Sequence, residues 1–429
     1  MNNLSDATKA LHSGFSHDPA TNSIAVPIYQ TSSYLFDSAE HAAELFSLKE
    51  FGNIYTRLMN PTTDVLEKRI ASIDGGVGAL ATASGMAAIF TAVTNVVGVG
   101  DHIIASATLY GGTETLFRYT LPRFGIEVTF VDDFTAENIE KEIKDNTKII
   151  YAETIGNPKG NLFDFESVTT LAHSYNIPVF VDNTFAPSLC KPFDYGVDVV
   201  VYSCTKWIGG HGTSLGGMIC DSGNFDWSSG RFPQFTTPDP SYGGLVLCDA
   251  FGDLEGMGNV AFIIKARIDV MRNIGACLSP YNAFQLLQGV ETLTLRMKQH
   301  NQNALALAKF LETNDKVDWV NYTGLPQHES HELAKKYLNG GFGSIIGFGV
   351  KGGAEAGKRF IENVKIAKHL ANVGDAKTLV IHPWSTTHAQ MSDDAKLVAG
   401  VNPEFIRVSV GIEEIQDIIN DFAQALENC

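Results

Sequence analysis

Short runs of β-branched and aliphatic residues alternate with helical patterns through the first half of this 429-residue chain, and that alternation constrains the fold most. Helical spacing is clear in Thr135–Asp145, where Ile139 and Ile143 lie one turn apart, and in Glu166–Tyr175. Strands that alternate with helices predict an α/β fold, with a mostly parallel sheet between helical layers. The predicted strands are His102–Ser106, Val128–Val131, Lys148–Ala152, Pro178–Asp182, Val199–Ser203 and Gly217–Cys220.

The remaining regions divide the chain further. Residues 1–59 lack a strong period and are predicted to form an N-terminal arm, followed by a large domain over 60–287 and a smaller C-terminal domain over 288–429. The last contains predicted strands at Ser344–Val350 and Ile406–Val410. The apolar stretch Gly78–Gly100 is broken by polar residues, so we expect a buried helix there and not a membrane span. A long helical pattern covers 261–302.

The segment Phe225–Gly256 interrupts this order and is rich in glycine, proline and aromatic residues. A long irregular stretch inside a compact domain is usually functional. Two interpretations stay open: a lid over a cleft, or a surface insertion that serves oligomer packing.

Charge and cysteine usage exclude several classes of function. The net charge of −17 argues against binding to nucleic acids or anionic membranes. Met1–Lys9 has no basic segment followed by an apolar one, so no secretory signal is visible and a cytoplasmic location is expected. The six cysteines form no C-x-x-C pair, and His328 and His331 lack the H-E-x-x-H spacing, so no metal site is predicted.

Polar residues that end predicted strands are candidates for a site, because ligands of such sheets bind beyond the carboxyl ends of the strands. Lys206 follows a buried strand in Ser203-Cys-Thr205-Lys206, where lost solvation would lower its pKa and free the amine as a nucleophile. Asp182 ends the preceding strand, where a carboxylate requires a cation or a donor. Each residue taken alone also has an ordinary interpretation: Lys206 as an exposed lysine after a strand, and Asp182 as an aspartate of a helix cap or turn.

A third candidate is Ser84-Gly85-Met86, which opens an alanine-rich helix whose free N–H groups suit a phosphate, although a plain capped helix fits it too. Neither Gly98-Val-Gly100 nor Gly210-His-Gly212 is followed by the third glycine of the dinucleotide fingerprint, which disfavours a nicotinamide enzyme. A nucleophilic lysine, a carboxylate and a phosphate-binding helix in this order together match the needs of pyridoxal 5'-phosphate.

From about Leu11 to its C-terminus the chain resembles the Cys/Met-metabolism family of fold-type I pyridoxal phosphate enzymes. The resemblance implies an aminotransferase-like large α/β domain, a C-terminal α+β domain and an N-terminal arm. The segments that carry it are Pro27-Ile-Tyr-Gln-Thr, Tyr55-Thr-Arg57-Leu-Met-Asn60-Pro, Ser84-Gly-Met, Leu109-Tyr110-Gly-Gly, Glu153-Thr-x-x-Asn157-Pro, Asp182-Asn-Thr, Ser203-x-Thr-Lys206 and Arg407-Val-Ser-Val-Gly-Ile-Glu413.

The resemblance also implies the roles of the cofactor-binding residues. Lys206 would form the Schiff base with pyridoxal phosphate and move protons, Asp182 would keep the pyridine nitrogen protonated, and Tyr110 would stack on the ring. The phosphate would be held by Gly85, Met86, Ser203 and Thr205 and, from the neighbouring subunit, by Tyr55 and Arg57.

For the substrate, the resemblance assigns the α-carboxylate to Arg407, assisted by Asn157 and Thr378. Glu153 would orient Asn157 or only cap its strand. These assignments imply a homotetramer built from dimers that share active sites, acting on a small amino acid and a sulfur donor.

Within the family, the length and the Phe225–Gly256 insertion resemble O-acetylhomoserine sulfhydrylases, and Gly112 stands where methionine γ-lyase has a cysteine. The implied reaction is γ-replacement, in which O-acetylhomoserine and sulfide, or a thiol, give homocysteine, or methionine, and acetate. The alternatives are γ-elimination or a γ-synthase activity, and a pyridoxal phosphate carrier without turnover.

Overall fold

The computed structural model describes residues 4–156, 159–387, 389, 392–398 and 400–429. Its larger sheet has the strands β1 (Gly78–Thr82), β2 (His102–Ser106), β3 (Glu127–Val131), β4 (Thr147–Glu153), β5 (Val179–Asp182), β6 (Val199–Ser203) and β7 (Gly217–Asp221). Their order is β1-β7-β6-β5-β4-β2-β3. Strands β2 to β6 pair in parallel, whereas β7 runs antiparallel to both β1 and β6. The predicted mostly parallel sheet is confirmed.

Alternate residues of the central strands enter two different cores. Val200 and Tyr202 of β6 face one core, while Val199 and Val201 face the other. Both faces are therefore covered, as expected for a parallel sheet, and the strands are apolar throughout.

The helices of the described chain are α1 (Asp6–His12), α2 (Ala39–Phe46), α3 (Pro61–Asp74), α4 (Gly85–Thr94), α5 (Gly111–Thr115), α6 (Ala136–Glu142), α7 (Phe165–Ser174), α8 (Pro233–Thr236), α9 (Leu247–Phe251), α10 (Ala261–Lys265), α11 (Arg272–Ile274), α12 (Pro280–Glu291), α13 (Leu293–Glu312), α14 (His331–Tyr337), α15 (Gly353–Asn363), α16 (Asp393–Val398) and α17 (Ile415–Glu427). Shorter 3-10 and π-helical turns connect several of them. None of the helices in the described residues is both long and apolar enough to cross a membrane.

The apolar stretch Gly78–Gly100 contains the predicted buried helix, α4, but the helix covers only part of it, because a strand comes first. Its first five residues form β1, and α4 begins only at Gly85, after Ser84 accepts the Ala87 N–H at 3.1 Å. Periodicity alone cannot separate a buried strand from a buried helix in a short apolar run. Pairing with β7 decides the outcome here.

The long helical pattern over 261–302 is also interrupted, contrary to the prediction. Gly275 adopts φ of +77°, a left-handed conformation that ends the helix, and Pro280 starts α12. A second break at Thr292 separates α12 from α13.

A smaller sheet occupies the C-terminal part of the chain. Its strands β8 (Val317–Asn321), β9 (Ile345–Val350), β10 (Lys368–His369), β11 (Leu379–Ile381) and β12 (Phe405–Ser409) have the order β10-β11-β12-β9-β8. The strands predicted at Ser344–Val350 and Ile406–Val410 are thus β9 and β12. The predicted boundary at 287/288 falls inside α12, so a domain border there would cut a helix.

The Phe225–Gly256 segment packs into the large domain. Trp227, Phe232 and Phe235 are fully buried, and the Trp227 ring stacks on Phe235 at 5.0 Å and on Phe262 of α10 at 5.0 Å. Aromatic burial of this extent holds the segment firmly against the sheet.

Candidate active site

A cleft of about 220 Å³ lies where β4, β5 and β6 end and the smaller domain approaches through Arg407 of β12. The position is the one that an open parallel sheet provides for ligands. The cleft brings together most of the residues predicted from the sequence. Those that line it are Gly85, Met86, Tyr110, Asp182, Ser203, Thr205, Lys206 and Arg407, accompanied by Ser84, Ile89, Glu153, Ile155, Thr184, Phe185, Leu215, Ala371, Asn372 and Val373.

Lys206 lies in a tight turn after β6, where its N–H donates to the Ser203 carbonyl at 3.2 Å. Its Nζ donates a hydrogen bond to Asn372 Oδ1. Burial lowers the pKa of Lys206, and the nearby Arg407 guanidinium lowers it further. The amine therefore loses its proton more readily than an exposed lysine, which suits a nucleophile and a base.

Asp182 ends β5 with its carboxylate held by the chain itself. Oδ1 accepts the Thr184 N–H at 2.9 Å, and the Thr184 hydroxyl accepts the Ser203 N–H at 2.8 Å. Burial raises the pKa of Asp182 to about 6, while the hydrogen bonds from Thr184 oppose that rise. Thr184 thus ties the carboxylate to the strand end that leads to the lysine.

One end of the cleft is a cradle of backbone and hydroxyl groups. The first N–H groups of α4, those of Gly85 and Met86, have no partner within their own helix and point to its N-terminal end. A Cβ on Gly85 would lie 2.7 Å from the Ser203 Cβ, so only glycine permits this close approach. The Ser203 and Thr205 side chains line the same cleft. The cradle has the donors and the space that a phosphate requires.

Tyr110 is positioned by Glu153, which the sequence left as a structural residue or a partner of Asn157. The Tyr110 N–H donates to Glu153 Oε1 at 2.6 Å, and about half of the tyrosine surface is exposed. Burial and the nearby Asp182 raise the pKa of Glu153 well above its ordinary value.

Arg407 lies in β12 and is the cation of the smaller domain in this cleft. Burial lowers its pKa, while the Tyr110 side chain opposes that shift. Because the guanidinium stays charged even so, it is suited to a carboxylate.

Three of the predicted residues, Tyr55, Arg57 and Thr378, do not line the cleft of this subunit. Tyr55 is 43% exposed, with the Arg57 guanidinium over its ring at 5.5 Å, and neither lines the cleft. Thr378 is buried, and its hydroxyl donates to Glu413 Oε2 at 2.8 Å and accepts the Gly411 N–H at 2.9 Å. Asn157 lies outside the described residues.

The Phe225–Gly256 segment also contributes no residue to the lining of the cleft in the described part of the chain. Its buried aromatic residues anchor it in the large domain, so the structure gives no support for a lid within one subunit.

Sequence reasoning missed Asn372 and Thr184. Thr184 had a signal, since it follows a strand-end carboxylate by two residues, where side chains commonly bond the backbone of a turn. Asn372 had none, because it lies in a loop of the smaller domain, far along the chain from Lys206.

Comparison with known proteins places this geometry in a family. The family model described as Cys/Met metabolism PLP-dependent enzyme matches residues 7–427. An O-acetyl-L-homoserine sulfhydrylase of Leptospira meyeri is 52% identical over 99% of this chain and 97% of that protein. A homocysteine synthase of Schizosaccharomyces pombe is 51% identical over 98% and 97%. O-acetyl-L-homoserine sulfhydrylase 1 of Thermus thermophilus is 49% identical over 98% and 99%.

A solved structure agrees in fold. A Campylobacter jejuni protein, provisionally named O-acetylhomoserine (thiol)-lyase, superposes with a TM-score of 0.94 at 40% identity, covering 99% of this chain and all of that one. That crystal structure carries N'-pyridoxyl-lysine-5'-monophosphate at position 205 of its own chain. The chain described here therefore belongs to the pyridoxal phosphate-dependent enzymes of Cys/Met metabolism.

Proposed function

We propose that this enzyme converts O-acetylhomoserine and sulfide into homocysteine and acetate. The observation that carries the proposal is one cleft that holds a lysine of lowered pKa, a partly buried carboxylate and a partly buried arginine. Three relatives at about 50% identity over nearly their whole length bear the names sulfhydrylase or homocysteine synthase, which supports this choice of substrate.

The residues of the cleft fit pyridoxal phosphate. The cradle, where Gly85 lets the start of α4 approach Ser203 closely, would hold the phosphate with the Met86 N–H and the Ser203 and Thr205 hydroxyls. Asp182 holds the proton of the pyridine nitrogen, and Lys206 is the covalent attachment point. When bound, the cofactor supplies an electron sink for negative charge that develops on the substrate.

Side chains of the protein bind the substrate and move its protons. Arg407 binds the α-carboxylate of the substrate through its planar pair of donors. Its proximity to Lys206, which is close enough to lower the lysine pKa, brings the substrate Cα near the amine. Lys206, whose lowered pKa favours the neutral amine, would take the Cα proton and return it at the end. Between these transfers the Cγ–O bond to acetate breaks and the Cγ–S bond forms. Asn157 is proposed to assist at the carboxylate, whereas Thr378, whose hydroxyl is bonded to Glu413 and Gly411, is not.

A shared assembly completes the proposal. We infer that Tyr55 and Arg57 reach the phosphate of the neighbouring subunit, and that two such dimers form a tetramer. In support, both residues lie outside their own cleft, and the arm that carries them exposes apolar side chains, with Leu35 98% and Ile24 81% exposed. The location in the cytoplasm stays a prediction.

Product analysis tests the reaction. The holoenzyme is given O-acetylhomoserine with and without sulfide, and homocysteine, 2-oxobutyrate and ammonia are measured. We expect homocysteine to form with sulfide much faster than 2-oxobutyrate forms without it. The Lys206→Ala variant serves as the control for uncatalysed reaction. Mainly 2-oxobutyrate and ammonia at saturating sulfide would identify a γ-elimination lyase instead, and no turnover at all would favour a carrier.

A further inference from the structure

Two carboxyl groups and a phenol crowd the floor of the cleft. Glu153 ends β4, Asp182 ends β5, and the two residues are direct partners in the parallel β4–β5 register. Tyr151 lies two residues before Glu153 and therefore on the same face of the sheet. Its hydroxyl is fully buried and has no hydrogen-bond partner among the described residues. Two carboxyl groups and a phenol that lie close together with little access to water cannot all be ionised at once.

The contacts of the two carboxyl groups differ. Asp182 accepts hydrogen bonds from Thr184, which favour its charged form. Glu153 is 8% exposed. Among the described residues, the contact that favours its charged form is one hydrogen bond, from the Tyr110 N–H at 2.6 Å. Burial and the Asp182 charge both raise that pKa.

We propose that Glu153 is a positioning residue that works as an uncharged carboxylic acid. One oxygen accepts the Tyr110 N–H and so holds the Tyr110 ring at the cleft, while the other carries the proton. Because Glu153 bears no charge, Asp182 is the single anion of the floor and faces no competitor for a protonated ring nitrogen. The inference rests on the proposed cofactor site for its role in the reaction, but the protonation state is a property of the chain alone.

The matched pair Glu153→Gln and Glu153→Ala separates shape from charge. Glutamine keeps a carbonyl acceptor for the Tyr110 N–H and is neutral, as the proposed acid is. Alanine removes the acceptor and leaves the partly buried Tyr110 N–H without this hydrogen bond. We expect Glu153→Gln to keep kcat, KM and cofactor affinity within about threefold. Glu153→Ala should lower kcat or cofactor affinity roughly tenfold, because the loss of one hydrogen bond that positions Tyr110 costs on the order of 1 kcal/mol.

Infrared difference spectroscopy tests the protonation directly. At pH 7 the cofactor-free wild-type spectrum minus that of Glu153→Gln should show the carbonyl stretch of a protonated carboxylic acid, while Asp182→Asn should keep this band. Asp74 and Asp221, whose pKa values are also raised to about 7, contribute equally to all the spectra and cancel in the difference. If the wild-type and Glu153→Gln spectra differ only by a carboxylate signal, the proposal is wrong. It is equally wrong if Glu153→Gln is as impaired as Glu153→Ala, or if neither variant is impaired.

These readouts also distinguish two kinds of failure. A wild-type enzyme that makes no homocysteine yet shows the band would overturn the proposed function and leave the assignment of Glu153 intact. If Glu153→Ala does not fold, the spectra and the kinetics of the glutamine variant still decide the question.

Discussion

The cleft and the N-terminal arm, which is proposed to reach the cofactor of a neighbouring subunit, hold their polar side chains in different ways. In the cleft, hydrogen bonds hold the side chains of Asp182, Thr184 and Lys206, and burial raises the pKa of Asp182 and lowers that of Lys206. On the arm, Tyr55 and Arg57 contact each other and are separated from the cleft that they are predicted to serve.

The arm is nevertheless anchored locally. The Asn60 side chain donates to the Tyr29 carbonyl at 2.8 Å and accepts the Thr62 N–H at 2.9 Å, which caps α3. The Arg267 guanidinium donates to the Leu58 carbonyl at 2.8 Å and pairs with the buried Glu67. The fold of one chain therefore holds the cleft residues in place, while its arm is anchored with Tyr55 and Arg57 in a position from which they are proposed to complete the site of another subunit.

The largest effect on activity is expected for a variant of the cleft. Lys206→Ala should lower turnover roughly 10²–10⁴-fold and remove the absorbance of covalently bound cofactor, because the residue moves the protons of the reaction. The fold should be unchanged by circular dichroism, since Lys206 is not a packing residue. The exposed Lys377, which pairs with Asp375, provides the control variant Lys377→Ala with near-normal activity. Normal turnover by Lys206→Ala would overturn the whole site assignment.

Complementation tests whether the arm acts in trans. Arg57→Ala and Lys206→Ala subunits are each expected to be inactive, but a mixed dimer would contain one intact site. Random pairing at equal amounts should then restore about a quarter of the wild-type activity. Mixing Arg57→Ala with Tyr55→Ala should restore none, because every site would receive a defective arm. If mixed dimers form without recovered activity, Arg57 serves its own subunit.

The pH dependence of cofactor binding should report Asp182. Its pKa of about 6 in the structure means that it is mostly ionised at pH 7 and mostly protonated at pH 5. A carboxylate is needed against a protonated ring nitrogen, so affinity should rise with pH through 6, and be roughly tenfold weaker at pH 5 than at pH 7. Absorbance titration of the cofactor-free protein measures this.

Asp182→Asn provides the control for the ionisation of the cofactor itself, which affects both proteins alike. The variant should bind more weakly at pH 7 and show a smaller change between pH 5 and pH 7. Equal slopes for the two proteins would show that Asp182 does not titrate in this range.

The same raised pKa affects folding with the opposite sign. Burial favours the protonated form of Asp182 in the folded state, so its contribution to stability is largest below the unfolded value of 3.8 and declines as pH rises through about 6. Bound cofactor should cancel that decline, since it pairs with the charged form.

The smallest effect is expected where the arm meets α3. Asn60→Ala removes a helix cap and should lower the free energy of unfolding by about 1 kcal/mol. Limited proteolysis should then cut 23–59 more readily, while Asn60→Asp, which keeps the capping acceptor, should lose less in thermal unfolding. Unchanged proteolysis of Asn60→Ala would mean that the arm is held by its other contacts.

The elements of the large domain were largely predictable. Strands β2 and β6 have the predicted bounds, because they are apolar runs that end at a polar or glycine-containing segment. Two predictions of helix bounds failed. Residues of β1 form a strand because they pair with β7, and Gly275 adopts a left-handed conformation that breaks the helical pattern.

The amino-acid sequence by itself determined which chemical groups stand at the strand ends. Lys206, Asp182 and the cradle at Gly85 follow apolar runs directly, and the carboxyl ends of parallel strands meet at one edge. The tertiary structure alone decided that Asn372 meets Lys206, that Glu153 holds Tyr110, and that Thr378 bonds to Glu413 and not to the cleft. These contacts join segments far apart in the chain, and they depend on how loops and domains pack, which no local pattern of residues encodes.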